Sequence, residues 1–320
     1  MGLLRFVSVR LLRGLLTLWF AVTVTFFLVR LLPGDPALAV ASPTMTADQR
    51  AQMLSDFGLD EPLLVQYATY LGQLAQGNLG ISFRQNAPVL DILLERLPWT
   101  LLLTGSSLVV TLIVGVPLAV AAARRQGSAL DRAVQVGGVV GQALFVPTVG
   151  IFLLYVFGVW LGWLPIGGAM ASDVYGVAAY GSILAHLVLP GLSLVLLQLG
   201  PYVLFLRTSL IEALSEDYTN VARSKGVSET KVVWVHALRN ALLPTVTLVG
   251  LQLGFLVGGS VLTETIFAYP GIGRAIYESV GQLDFPVMQG AFVLLAATVV
   301  VANLLTDLMY GLLDPRVRQT

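Results

Sequence analysis

The chain has 320 residues, of which 56% are hydrophobic and 11% charged, and its 18 basic residues balance 18 acidic ones. A soluble domain carries about 25% charge and could not hide so much apolar surface at this length, which excludes most soluble enzymes, disordered chains and basic nucleic-acid binders. No cysteine is present, so disulfides, thiolate metal sites and a cysteine nucleophile are excluded.

A membrane span needs about 20 apolar residues, and charge-free runs supply six. The first is Gly14 to Val29, with Arg13 and Arg30 at its ends. Arg5, Arg10 and Arg13 followed by Ala39-Val40-Ala41 resemble a cleavable signal, but the apolar run to Leu32 exceeds a signal core and reads as an uncleaved helix. The second run is Leu97 to Ala123. The third is a helix over Val134 to Trp160, followed by an interfacial turn at Trp163, Pro165, Gly167 and Gly168. The fourth runs from Ile183 to Leu206, the fifth from Asn240 to Thr263, and the sixth from Phe285 to Thr306. The expected fold is therefore all-α and polytopic, with six transmembrane helices. Pro117, Pro147, Pro190 and Pro201 suggest kinks in or beside the spans.

Basic residues set the orientation. With the amino terminus inside, Arg5, Arg10, Arg13, Arg124, Arg125, Arg132, Arg207, Arg223, Lys225, Lys231, Arg239, Arg316 and Arg318 are cytoplasmic, and only Arg30, Arg50, Arg84, Arg96 and Arg274 lie outside. Both termini are then cytoplasmic. The chain divides into 1–32 (amino terminus and first span), 33–97 (an extracytoplasmic helical segment), 98–314 (the transmembrane core, with a cytoplasmic loop at 207–243) and a cytoplasmic tail, 315–320.

Two connections are long. The outer one is acidic, with Asp35, Asp48, Asp56, Asp60, Glu61, Asp91 and Glu95 against Arg50, Arg84 and Arg96. Thr46 and Gln49 have capping-box spacing, with Gly58 as a stop. Pro62 suits a first helical position before Leu63, Tyr67, Tyr70, Leu71 and Leu74, which share one face, and Pro88 starts a third helix. A packed cap and a docking surface for an external partner are both consistent with this segment. In the inner loop, Ser215 is placed to cap a helix with Glu216 and Asp217 in its first turn, and Gly226 to end it. Ser228 then caps a second helix carrying His236 and Arg239, and Pro244 opens the fifth span. Two capped helices about a glycine hinge favour a protein-contact site over a solvated loop.

Here the sequence becomes recognisable. Tyr218-Thr-Asn-Val-Ala-Arg-Ser-Lys-Gly226 followed by His236-Ala-Leu-Arg-Asn-Ala-Leu-Leu-Pro244 resembles the cytoplasmic loop of ATP-binding-cassette importer permeases, and within them the first permease subunit of the oligopeptide/dipeptide/nickel group. Leu32-Pro-Gly-Asp-Pro-Ala37, Gly58-Leu-Asp-Glu-Pro-Leu63, Gly77-Asn-Leu-Gly80, Trp163-Leu-Pro-Ile-Gly-Gly168, Glu264-Thr-Ile-Phe267 with Pro270-Gly-Ile-Gly273, and Asp314-Pro-Arg316 are similar to the same group, in the same order. The resemblance implies the type I importer permease fold in a bacterial or archaeal plasma membrane. It implies a second homologous permease subunit, expected to be a distinct chain, two ATPase subunits and an extracytoplasmic substrate-binding protein. It also implies that Ser215, Asp217, Tyr218, Ala222, Arg223, Lys225, Gly226, Leu243 and Pro244 couple to an ATPase. One departure stands out: the common importer motif begins Glu-Ala-Ala, and this chain reads Asn220-Val221-Ala222. Peptides are the expected cargo, with nickel complexes, glutathione or oligosaccharides as alternatives in the same group. A stand-alone secondary transporter and a non-transporting scaffold are the readings from other classes.

The chain has no Walker A lysine: Lys225 precedes Gly226 and Lys231 precedes Val232. ATP hydrolysis, a cofactor and a metal are therefore not expected of it, and His186 and His236 read as packing residues rather than ligands. Gln142, Gln198, Gln252 and Glu264 are candidates for a polar translocation path, interhelical hydrogen bonding being the alternative for the glutamines; Asn303, followed at i+4 by Asp307, reads as packing. Gly250, Gly254 and Gly258 form a small-xxx-small stripe suited to close helix contact, either within the chain or with a second subunit.

Overall fold

The computed structural model describes the backbone of residues 2–31 and 60–313 and the side chains of 8–30, 60–245, 249–250 and 260–306. Among these residues the chain is helical, with one isolated antiparallel bridge between Ile81 and Pro88. The helix expected after Thr46 and Gln49 lies outside the described residues.

Helix α1 (Gly2–Leu31) is charge-free between Arg13 and Arg30 and exposes Leu15, Leu16, Trp19 and Phe20 there, as a lipid-facing helix does. Helix α2 (Leu63–Ala75) starts one residue later than expected, with Pro62 at its cap. Tyr67 and Tyr70 of α2 pack on the Phe26 ring, and the Tyr67 hydroxyl hydrogen-bonds the Thr23 hydroxyl at 2.7 Å.

Helix α3 (Val89–Arg124) is a single element. It joins the outer helix expected from Pro88 to the span expected from Leu97, so the boundary at 97 falls inside a helix. It passes through Pro98 and Pro117. A proline removes one intrahelical bond, and here Ile92 and Leu93, one turn before Pro98, are held by Ile272 and Ile276 and by Val287 and Ala291.

The third run departs from expectation. Helix α4 (Ala129–Ala143) and helix α5 (Val146–Leu153), which continues as a π-helical turn over Leu154–Trp160, meet at 101°. Leu144 and Phe145 are extended at the corner; Pro147 has no N–H to give the Ala143 carbonyl, so α4 cannot run on through it, while its fixed φ suits the first turn of α5. The single helix expected over Val134 to Trp160, with a kink at Pro147, is thus a sharply bent pair.

Helix α6 (Val177–Ser215) contains Pro190 and Pro201. Helices α7 (Asp217–Ser224) and α8 (Glu229–Lys231) follow, then a π-helical turn (Val232–Ala237) that runs directly into α9 (Leu238–Ile266). Helices α10 (Ile272–Gln282) and α11 (Phe285–Leu313) complete the chain. Among the described residues, α1, α3, α6 and α11 are long and apolar enough to cross a membrane, and α4 with α5 counts as a fifth if the pair is one span. The run Asn240 to Thr263 falls in α9, part of whose side chains lie outside the description. This is a multi-pass, all-helical membrane protein.

Two clusters hold the ends of the bundle. On one side Ala119, Val120 and Ala123 of α3 meet Tyr202, Leu206 and Leu210 of α6, Val233 and Ala237 of the π-helical turn, and Ala241 of α9. On the other, Val89 and Leu93 pack against Ile272, Ala275 and Ile276 of α10 and against Val287 and Leu295 of α11. Where such a cluster meets water, each large apolar side chain contributes about 1.5–3 kcal/mol by burial; within hydrocarbon, packing supplies the attraction.

Candidate functional site

The loop between α6 and α9 forms a compact knob. Helix α7 ends in paired bonds, Gly226 N–H to the Arg223 carbonyl at 2.9 Å and Val227 N–H to the Ala222 carbonyl at 3.2 Å. This closure requires a left-handed residue, and Gly226 has φ +77°. The start of α7 differs from expectation. Ser215 is the last residue of α6, and its hydroxyl donates to the Glu212 carbonyl at 2.7 Å, so it caps nothing. Glu216 holds the cap position without a side-chain bond, and so does Ser228 before α8.

The knob is clamped rather than loose. Thr219 is fully buried, and its hydroxyl lies 2.9 Å from the Leu214 carbonyl and 2.7 Å from that of Glu216. Arg223 Nε donates to Glu229 Oε1 at 2.7 Å, and its Nη1 donates to the Leu214 carbonyl and to Asn220 Oδ1. One guanidinium therefore ties α6, α7 and α8 together. Ala222 is buried against this chain, whereas Asp217, Tyr218, Val221, Ser224 and Lys225 are exposed, with Trp234 and Val235 exposed beyond them. The outward surface is mixed apolar and charged, with Tyr218 and Val221 one turn apart. Leu243 and Pro244 lie inside α9, roughly 20 Å along the helix from Glu229 at 1.5 Å per residue.

At the root of the knob Asp131 is buried beneath Arg207. Arg207 Nη2 donates to Asp131 Oδ2 at 2.7 Å and Arg207 Nε donates to Oδ1, a two-pronged pair that joins α4 to α6. Gly127 N–H adds a bond to Oδ2 at 2.8 Å, and Ser128 accepts from Asp131 N–H at 3.3 Å.

The path candidates are scattered. Gln142 is exposed; Gln198 is buried and donates to the Leu194 carbonyl at 3.1 Å, a bond within its own helix. The Gln252 side chain lies outside the description, as do the surroundings of Gly254 and Gly258. At Gly250 an added Cβ would stand 2.6 Å from Thr306 Cγ2, so this glycine serves the contact of α9 with α11 within the chain. Glu264 does not face an open path on this chain. It is fully buried and accepts from the Thr100 hydroxyl at 2.8 Å and from Arg274 N–H at 3.1 Å. Gly271 and Gly273 close over it, because a Cβ at Gly271 would sit 2.4 Å from the Glu264 carboxyl carbon. Burial, and then the Glu264 carboxylate, push the neighbouring Tyr269 phenol above its ordinary value. His186 bonds its own helix through Nδ1 and the Ser182 carbonyl at 2.8 Å, and among the described residues no cluster of histidines and acids could hold a metal.

Residues 3–104 match the amino-terminal region, and residues 115–319 the main region, of the binding-protein-dependent transport system inner membrane component family. The chain belongs to that family. A probable peptide ABC transporter permease protein of Sinorhizobium fredii is 39% identical over 92% of both chains. A di/tripeptide transport system permease protein of Pseudomonas aeruginosa is 38% identical over 99% of both, and a glutathione transport system permease protein of Salmonella choleraesuis is 37% identical over 99% of both.

In this member of the inner-membrane-component family, sequence reasoning missed Thr219, Asp131 with Arg207, and Thr100. The Gly127-Ser128 turn with an acid at the third position after Ser128 was a readable capping signal for Asp131. Nothing local marks Thr100, whose partners lie more than 160 residues away.

Proposed function

We propose that this chain forms, with a second permease subunit, the membrane pathway of an ATP-driven importer for peptides, with six spans and both termini cytoplasmic. The observation that carries the reading is the α7 knob: a short helix whose buried side is bonded to the end of α6 through Thr219 and Arg223 and whose open side offers Tyr218, Val221 and Lys225. Such a surface suits a cleft on a separate ATPase subunit. The ATPase moves α7, and the Arg223–Glu229 pair and the unbroken run into α9 pass that motion to the pathway. The missing Walker lysine supports placing hydrolysis on a partner. Peptide as cargo rests on the names of the relatives from Sinorhizobium and Pseudomonas, and the Salmonella relative makes glutathione, itself a peptide, the second cargo to try. An extracytoplasmic binding protein delivers it, biasing the permease by its differential affinity for the two states.

The test is reconstitution with the candidate ATPases and binding protein. Peptide uptake and peptide-stimulated hydrolysis are expected, and Val221→Asp should abolish stimulation while the chain still inserts. Uptake by this chain without any ATPase would overturn the proposal. Orientation is checked separately: with no native cysteine, single cysteines at Lys225 and Arg84 should label from the inside and the outside respectively.

A further inference from the structure

The corner between α4 and α5 sits at the depth of the middle of α6. Just before it, Gly141 packs on the α6 backbone: a Cβ there would stand 3.5 Å from the Leu196 carbonyl oxygen and 3.8 Å from Gly200 Cα. Along α6, Leu196 lies about 16 Å from Arg207 at 1.5 Å per residue, roughly half of the ~30 Å hydrocarbon layer. Just after it, Val149 and Leu153 of α5 pack with Leu189 and Leu196 of α6 and with Phe267. At this depth the backbone is irregular. Leu144 and Phe145 are extended, and the Leu144 N–H reaches the Gly141 carbonyl at 3.3 Å. The Ala143 carbonyl, whose helical donor would come from position 147, meets a proline there instead. Gln142 and Thr148 flank the break and are exposed, and among the described residues neither the amide nor the hydroxyl has a hydrogen-bond partner. Ala143 and Phe145 between them are exposed as well.

Lipid does not cover such a place. Hydrocarbon offers no partner to a free carbonyl, amide or hydroxyl, and interrupted backbone at membrane depth persists only where protein packs on it or water reaches it. This chain does not pack on it. A second subunit packed dry against the corner would have to match each free polar group in place, whereas water satisfies them in any geometry. We propose that the α4–α5 corner lines the hydrated cargo path, and that Gln142 and Thr148 are its contacts to the peptide backbone. The inference rests on the importer function proposed above and gives that importer a site on this chain. Gln142 offers both a donor and an acceptor, and so does the Thr148 hydroxyl. Together they suit the amide N–H and C=O groups that every peptide carries, and they ask for no charge and no particular side chain. Phe145, 65% exposed, adds an apolar wall beside them. Of the four polar residues expected on a path, Gln142 alone is both open and unpaired among the described residues; Gln198 and Glu264 are buried.

Because the chain has no native cysteine, single cysteines report on the corner directly. Gln142→Cys, Thr148→Cys and, on the lipid-facing side of α1, Leu16→Cys are each placed in the full chain, assembled with its partner subunits in proteoliposomes. A charged, membrane-impermeant thiol reagent is applied on both faces, with and without ATP. In at least one of the two states the corner cysteines should react about tenfold or more faster than the one at position 16, because a thiol in hydrocarbon stays protonated and out of reach. Once modified, the corner variants should lose dipeptide uptake with an unchanged melting temperature, while the position 16 variant, modified by a membrane-permeant reagent, should keep it. No reaction at the corner in either state overturns the proposal. Cross-linking of the corner to the second permease subunit in place of labelling overturns it in favour of a subunit contact. Labelling that leaves uptake intact overturns the cargo contact. Accessibility is read without cargo, so it stands or falls apart from the importer reading, which fails instead if the unsubstituted complex shows no ATP-driven uptake.

Discussion

The Thr100 hydroxyl donates to Glu264 Oε1 across 2.8 Å and accepts the Ile272 N–H at 2.9 Å. One side chain of α3 thereby fixes both the end of α9 and the start of α10. Thr100→Val keeps the shape and removes both bonds, leaving a buried carboxylate and a buried amide each short of a partner. The expected cost is about 1–3 kcal/mol per unsatisfied group, read as a lower thermal midpoint of the purified complex. An unchanged midpoint would refute the brace.

Gly271 and Gly273 let the 267–271 turn lie directly on that carboxylate. A Cβ at Gly273 would fall 2.5 Å from Val261 Cα, a backbone atom that cannot step aside. Gly273→Ala is therefore expected to destabilise the protein by about 1–3 kcal/mol through overpacking. Gly281→Ala, where a Cβ meets nothing within 4 Å, should be nearly silent in the same melting assay.

The buried Asp131–Arg207 pair makes a two-part prediction. Asp131→Ala strands a guanidinium with little exposure and should cost about 3–5 kcal/mol. The double change Asp131→Leu with Arg207→Met removes both charges and should recover most of that loss. Heat-step survival of the single and double variants in detergent decides it: additive losses would show that the pair is not coupled.

Gly226 stands at φ +77° with open space around it, so the obstacle to a side chain there is the backbone alone. Gly226→Ala should cost about 1 kcal/mol and loosen the end of α7. Tyr218→Ala, on the exposed side, should leave the melting temperature unchanged and lower partner-ATPase stimulation. If both variants behave alike in both assays, the division between the inner and outer sides of α7 is wrong.

The sequence located the helices better than their joints. Charge-free runs placed the apolar helices because a charge inside hydrocarbon is costly at any register. Pro147 marked a kink, but a 101° corner depends on what α4 and α5 each pack against. Pro98 gave the opposite outcome, since tertiary contacts of Leu93 carry the helix through it. In the knob, Gly226 was legible because one backbone geometry demands it. Ala222 was legible as a small residue, but not as one facing its own chain. Ser215 looked like a cap because its type and spacing fit, yet α6 extends over it. Glu264 drew attention as an acid near a span end; its partners come from Thr100 and from the turn after α9, so no local pattern reports its burial.

From Glu229 to Ile266 the helical backbone is unbroken, about 55 Å at 1.5 Å per residue. Its first residue is gripped by Arg223, and its last turns are gripped through Glu264. No slack loop lies between these two anchors to absorb a displacement. A push at the Glu229 end must then be taken up as tilt or rotation of the whole rod, or as yielding at the π-helical turn over Val232–Ala237. Under the proposed function the protein has in effect a connecting rod, whose stiffness, rather than the strength of any single contact, fixes how much of an ATPase's stroke arrives on the far side.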